Sequence, residues 1–177
     1  TDGQLDRVLG VEVGSGVESS SHIVNPEDLF DIQQQAEFFV SVGEHDQAVG
    51  VLKKHIAAHR ETSPSAYLEL LRLYHALGRS MDFAQLRTQF SKHFNAQVPE
   101  FAVFSRQGRT LEHYVDALAA IEADWTSSSV VQLLEKLLFR RDSEVQIAPF
   151  DLAAFDDLLL LLAIAQTTLP SSRGAPP

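Results

Sequence analysis

The sequence predicts an all-α protein of about seven helices joined as successive helical hairpins. Three observations carry this expectation. Apolar residues recur at spacings of three and four along most of the chain, which is the period of one helix face. Helix starts are marked by Asn25-Pro26 and Ser63-Pro64, and helix ends by Gly43 and Gly78. Those two glycines lie 35 residues apart, and each is followed by a short turn and a second apolar-periodic segment.

The first helix opens at Asn25-Pro26-Glu27-Asp28, a cap, a preorganised first residue and two acids at the positive end of the helix dipole. Its apolar stripe is Leu29, Ile32, Ala36, Phe39 and Val40, and Gly43 closes it in the left-handed conformation. Helix two starts near Asp46 and turns Ala48, Val49, Leu52 and Ile56 inward. Helix three repeats the opening with Ser63-Pro64, carries Tyr67, Leu70, Leu71, Tyr74 and Leu77, and ends at Gly78. Helix four bears Phe83, Leu86, Phe90 and Phe94. After a loop containing Pro99, Phe101, Phe104 and Gly108, helix five opens at Thr110, carries Leu111, Tyr114, Leu118 and Ile121, and ends at Trp125. Ser127 is expected to cap helix six, which bears Val130, Val131, Leu134, Leu137 and Leu138. Helix seven opens at Asp151 between Phe150 and Phe155, spaced as a hydrophobic staple. Residues 1–24 are rich in Gly, Ser and acids and read as a flexible tether; 25–168 form the helical domain; 169–177 read as a C-terminal linker.

Charge narrows the partners. Residues 1–46 hold ten acids against one base, Arg7, and the rest of the chain has 14 acids against 13 bases. An acidic front end argues against nucleic acid and against an anionic membrane surface, both of which demand clustered Lys and Arg. The longest purely apolar run, Leu158–Ala165, is far short of the roughly 18 residues a membrane span needs, so no membrane contact is expected within this sequence. The chain has no Cys, which excludes disulfides and Cys-based metal or nucleophile sites. It begins at Thr1 with no signal peptide and reads as part of something longer.

No catalytic site, cofactor site or metal site is expected. His55 and His59 have metal-ligand spacing, but Ile56 stands where a metalloprotease has Glu and no third ligand is evident, so a surface helix face is the preferred reading. Glu27-Asp28 and Asp156-Asp157 are neighbours on single helices, so their carboxylates diverge; dipole stabilisation and a solvated face account for them. Ser127-Ser128-Ser129 lacks a nucleophile elbow and reads as capping. Gly10, Gly14 and Gly16 precede no helix that would make them a phosphate loop. Adjacent Phe38 and Phe39 cannot both point inward, so one faces a neighbouring helix or a partner.

Aligning Gly43 with Gly78 puts Ile32 with Tyr67, Ala36 with Leu71, and Phe39 with Tyr74. A helix–turn–helix period near 34 resembles the tetratricopeptide repeat. In the second unit Tyr67, Leu70, Leu71, Tyr74 and Gly78 stand at that family's large, Leu, small, Tyr and Gly positions. It departs in having Leu71 at the small position and one extra residue after Gly78. The first unit keeps Ala36, Gly43 and Ala48 but has Ile32 and Gln35 at the first two positions and no closing Pro. Residues 110–141 are a candidate third hairpin, with no family positions aligned. The strings Asp31–Val40, Leu68–Arg79 and Phe94–Pro99 also resemble the repeat region of bacterial FimV-type proteins, which are linked to type IV pilus assembly and cell-pole organisation. That resemblance implies the cytoplasmic, partner-binding repeat module of an envelope-spanning protein.

The function the repeat implies is a non-enzymatic scaffold that binds a peptide or helix of a partner protein in a groove. By repeat register Gln33, Glu37, Val40 and Ser41 face that groove from the first unit, and Leu68, Arg72, His75 and Ala76 from the second. Arg72 and His75, three apart, suit an anionic or amide-bearing peptide with one apolar anchor. Gln33 and Glu37 stand where related domains carry the Lys and Asn of a carboxylate clamp, so acidic chaperone C-termini are not expected as ligands. The competing expectation is self-association as a homo-oligomer, because the five consecutive leucines Leu158–Leu162 wrap more than one face of helix seven.

Overall fold

A computed structural model describes residues 26–105, 108–140 and 147–174. The tether 1–24, the Asn25 cap and the end of the chain from 175 lie outside the described residues. The fold is all-α, with seven α-helices among the described residues: α1 (Pro26–Ser41), α2 (His45–Ala58), α3 (Pro64–Leu77), α4 (Ser80–His93), α5 (Val115–Asp124), α6 (Val130–Leu138) and α7 (Leu152–Thr167). Two-residue strands β1 (Ala96–Gln97) and β2 (Phe150–Asp151) complete it, with 3-10 turns at Phe101–Val103, Leu111–His113 and Pro170–Ser172. The chain divides into two compact units between Leu73 and Tyr74, inside α3.

In the first unit α1 and α2 form a hairpin closed by Gly43. Its φ of +81° is the left-handed value that an L side chain adopts only at a cost. The Gly43 N–H donates to the Val40 carbonyl (3.1 Å) and the Glu44 N–H to that of Phe39 (2.8 Å), the paired bonds of a Schellman cap. Ala36, Ala48, Val49, Leu52 and Ile56 are buried here. One broad side of the first two turns of α3 is buried: Ala66, Tyr67, Leu68, Leu70 and Leu71 span about 200° of the circumference, and all are at most 2% exposed. The turn before α3 is tied by the Tyr67 hydroxyl, which donates to the Arg60 carbonyl at 3.0 Å.

The second unit repeats the device at Gly78 (φ +72°), whose N–H donates to the His75 carbonyl (3.2 Å) while the Arg79 N–H donates to that of Tyr74 (2.9 Å). Its core is a set of facing rings. Phe90 lies 5.0 Å from Phe94 and 5.7 Å from Phe155, and Phe94 lies 5.8 Å from Phe139, all within the range of stabilising aromatic pairs. Phe150 and Phe155, the expected staple residues, are both buried, and Asp151 holds the N-cap position of α7.

Several features of this unit depart from the sequence expectation. Thr110 opens a 3-10 turn, and α5 itself begins at Val115, because the chain is held there from outside. The Leu111 N–H donates to Asp157 Oδ2 (3.0 Å) and the Arg109 N–H to Asp151 Oδ2 (2.8 Å). Asp157 is therefore a loop anchor rather than a member of a solvated face. The N-cap of α6 is Ser129, not Ser127; the Ser127 hydroxyl accepts from the Ser129 N–H (3.2 Å), and the Ser129 hydroxyl donates to Asp124 (2.7 Å). Lastly, β1 and β2 pair in parallel, Ala96 opposite Phe150, which periodicity over two residues cannot announce. Residues 169–174, read as the start of a linker, include the 3-10 turn, and Arg173 donates to the carbonyls of Ala165 and Ser127.

Candidate functional site

The first unit holds an open cleft of about 340 Å³ between α1, α2 and the middle of α3. Its floor is apolar: Ala36 and Leu52 are buried beneath it, and Val40 and Leu73 are partly exposed along it. Its rim is polar, with Gln33, Glu37 and Ser41 from α1 and Glu69 and Arg72 from α3. An apolar floor with a few polar groups around it is the usual composition of a binding cleft. The hollow has a local cause. Ala36 is the smallest residue of the α1 stripe, and with Val40 one turn later it leaves space that Leu or Phe would fill.

On the rim, Arg72 Nη1 lies 3.3 Å from Glu69 Oε1, one turn earlier on α3. Both side chains are well exposed, so the pair contributes little to stability but keeps the guanidinium beside a carboxylate. Two exposed aromatics flank the cleft helix. Phe30 is 58% and Phe38 60% exposed, whereas Phe39 is half-buried, so the adjacent pair does point in different directions. Phe30 stands on the stripe of Gln33, Glu37 and Ser41, at helical spacing.

Of the groove residues expected from the repeat register, Gln33, Glu37, Val40, Ser41 and Arg72 line this one cleft. Three expected residues do not line it: Leu68, His75 and Ala76, the last of which lies in the second unit. Leu68 is 2% exposed, on the buried side of α3, and has no surface to offer a partner. His75 lies in the second unit, where its ring packs 4.9 Å from Phe101, 5.3 Å from Phe104 and 6.4 Å from Phe83. The pairing of Arg72 with His75 as adjacent donors is thereby replaced by an Arg72–Glu69 pair and an aromatic cluster around His75. Ala36, Leu52, Glu69 and Leu73 were missed. Ala36 and Leu52 had been assigned wholly to the core, and Glu69 and Leu73 lie on a flank of α3 that the repeat register leaves out.

The histidine pair His55 and His59 is partly buried. His55, expected on a surface helix face, is buried, and its Nε2 meets the Ser63 hydroxyl at 2.9 Å. Burial, and then the neighbouring charge of His59, hold the His55 imidazole below its usual pKa, against a smaller upward pull from Asp28. The His55 and His59 rings lie with centroids 4.6 Å apart, tilted by 39°. Among the described residues no three His, Asp or Glu converge as a metal site, and no helix is long and apolar enough to cross a membrane. Ser63 faces His55 with its side chain, and its carbonyl accepts the Ala66 N–H as α3 begins.

No family model matches the chain, and no match is found among curated proteins or solved structures.

Proposed function

We propose that this chain is a non-enzymatic protein–protein interaction module, and that the cleft of the first unit receives a segment of a partner protein. The observation that carries this reading is convergence. Gln33, Glu37, Val40, Ser41 and Arg72, selected from the repeat register alone, line one apolar-floored cleft. Helix hairpins bury one face against neighbours and leave another free for a partner, which is how hairpin repeats bind. The resemblance of Asp31–Val40 and Leu68–Arg79 to FimV-type repeats supports a role in type IV pilus assembly or polar organisation, on the cytoplasmic side of the envelope. The test is a pull-down from native lysate with the unaltered chain and with Val40→Arg. Val40 is 38% exposed, so the substitution leaves the fold intact while setting a charge on the cleft floor. Loss of specific partners with unchanged helicity is the expected result; undiminished recovery refutes the reading.

Self-association is a second reading, favoured by α7. Leu158 and Leu162 are buried, yet Leu160 is 61% and Ile164 37% exposed, one turn apart on the same face. Light scattering across a concentration series should show a mass that rises and then falls back on Leu160→Glu. A concentration-independent monomer mass removes this reading.

A further inference from the structure

We infer that the cleft of the first unit takes a cationic partner segment, one that seats an apolar side chain on Val40, Leu52 and Leu73 and faces Glu37 with a Lys or Arg. This rests on the groove reading above and names the chemistry of the ligand.

The charge of the rim is the first argument. Glu37, Glu69 and Arg72 are its charged groups, and the Arg72 guanidinium lies against Glu69 at 3.3 Å. Once that pair is formed, the carboxylate of Glu37 sets the sign of the cleft. The helix behind it adds to the same sign: α1 carries Glu27, Asp28, Asp31 and Glu37 and no Lys or Arg. A cleft with low-dielectric walls focuses such a field on its opening, steers oppositely charged segments in and turns like-charged ones away. An acidic peptide would approach Arg72 only by displacing Glu69 and passing Glu37.

The second argument is the exposed ring of Phe30. It lies on the cleft-facing stripe of α1, one to two turns before Gln33 and Glu37. An exposed ring offers its face to the apolar stem or the charged head of one Lys or Arg, while a second cation of the same segment meets Glu37 two turns on. A cleft of about 340 Å³ has room for an anchoring Leu or similar side chain, and its floor of Ala36 and Leu52 has no charge to hold a polar one. The ligand is therefore amphipathic, with apolar residues on one side and Lys or Arg at the margin nearest α1.

Two synthetic amphipathic peptides of one pattern test this, one of Leu and Lys, the other of Leu and Glu, each fluorescently labelled. Binding is read by anisotropy at about 0.15 M ionic strength, where long-range attraction is screened, and its location by amide chemical shifts in the labelled protein. The Leu/Lys peptide should bind at least about tenfold tighter, with shifts at Val40, Leu73 and Arg72. Glu37→Lys should cancel or reverse that preference. Asp31→Lys makes the same charge change on the same helix but away from the cleft lining, and should weaken binding far less. Equal weakening by the two substitutions would mean diffuse attraction to an acidic helix and overturns the inference. Equal or tighter binding of the Leu/Glu peptide with the same shifts overturns the charge assignment and leaves the groove standing. If neither peptide shifts the cleft residues, the groove reading falls with it.

Discussion

Asn95 is the residue whose replacement tests the second unit most sharply. It is 3% exposed, in the segment between α4 and β1. Its backbone N–H donates to the Leu138 carbonyl (2.8 Å) and its side-chain Nδ2 to the Leu137 carbonyl (3.1 Å). Those are carbonyls of the last turn of α6, which the helix itself cannot satisfy. A longer contact from Nδ2 reaches the Ala148 carbonyl (3.4 Å), and the Asn95 carbonyl accepts the Phe150 N–H (3.1 Å) at the edge of the β1–β2 pair. One side chain thus joins the end of α6 to the approach to β2. Asn95→Ala removes one good and one weak hydrogen bond and strands a buried carbonyl. At about 1 kcal/mol for the bond and a further ~1 for the stranded acceptor, the loss is about 2 kcal/mol. That corresponds to a fall in Tm of roughly 4–8 °C for a domain of this size. Asn95→Asp is nearly isosteric but places an acceptor against two acceptors. A buried carboxyl beside carbonyl dipoles has a raised pKa in the folded chain, so its penalty is small below the ordinary carboxyl value of about 4 and grows as pH rises through it. Urea titrations at pH 4 and pH 7 distinguish these effects. A loss under about 0.5 kcal/mol for Asn95→Ala, within the range of ordinary surface changes, refutes the bridging role. So does an Asn95→Asp variant no worse than Asn95→Ala at pH 7.

Burial depresses the pKa of His55, so the folded chain holds fewer protons than the unfolded one just below the ordinary histidine value of about 6.5. The urea midpoint should therefore fall as pH drops from 7.5 to 5, and His55→Gln should flatten that dependence; an unchanged slope assigns the effect to other groups. Gly43→Ala and Gly78→Ala meet no atom within 4 Å of the added carbon, so each should cost about 1–2 kcal/mol from the positive φ alone, read by chemical denaturation. Leu68→Ala should cost about 2–5 kcal/mol as a core truncation. Val40→Ala should stay within about 0.5 kcal/mol of the parent, and comparable losses at the two positions would reverse their assignment as core and cleft.

Much of the helical frame was legible because its signals are local. Gly43 and Gly78 were readable as helix ends, since each must reach a backbone conformation that other residues resist, and both form the same cap. The opening of α7 at Asp151 and the divergence of Phe38 from Phe39 likewise follow from helix geometry over a few residues. Of the site, the α1 wall was legible and the α3 wall only in part. Leu68 and Arg72 are four apart and share a helix face, so no periodic argument separates them. One is buried and the other exposed because the covering of α3 stops between them.

By itself the sequence determined the helix class, the stripe on each helix, two glycine-closed turns and an acidic α1 that carries no base. These depend on residues within one or two turns of each other, where propensity and backbone sterics act directly. Only the tertiary structure decided that Ala36 and Val40 face a hollow, that His55 is buried against Ser63, and that His75 packs among phenylalanines. The same holds for the parallel pairing of β1 with β2, 54 residues apart at Ala96 and Phe150, and for Asn95 bridging the end of α6 to the approach to β2. Each of these depends on which distant segment arrives to cover a surface or to accept a bond. A helical period states which residues share a face; it carries no information about what that face meets.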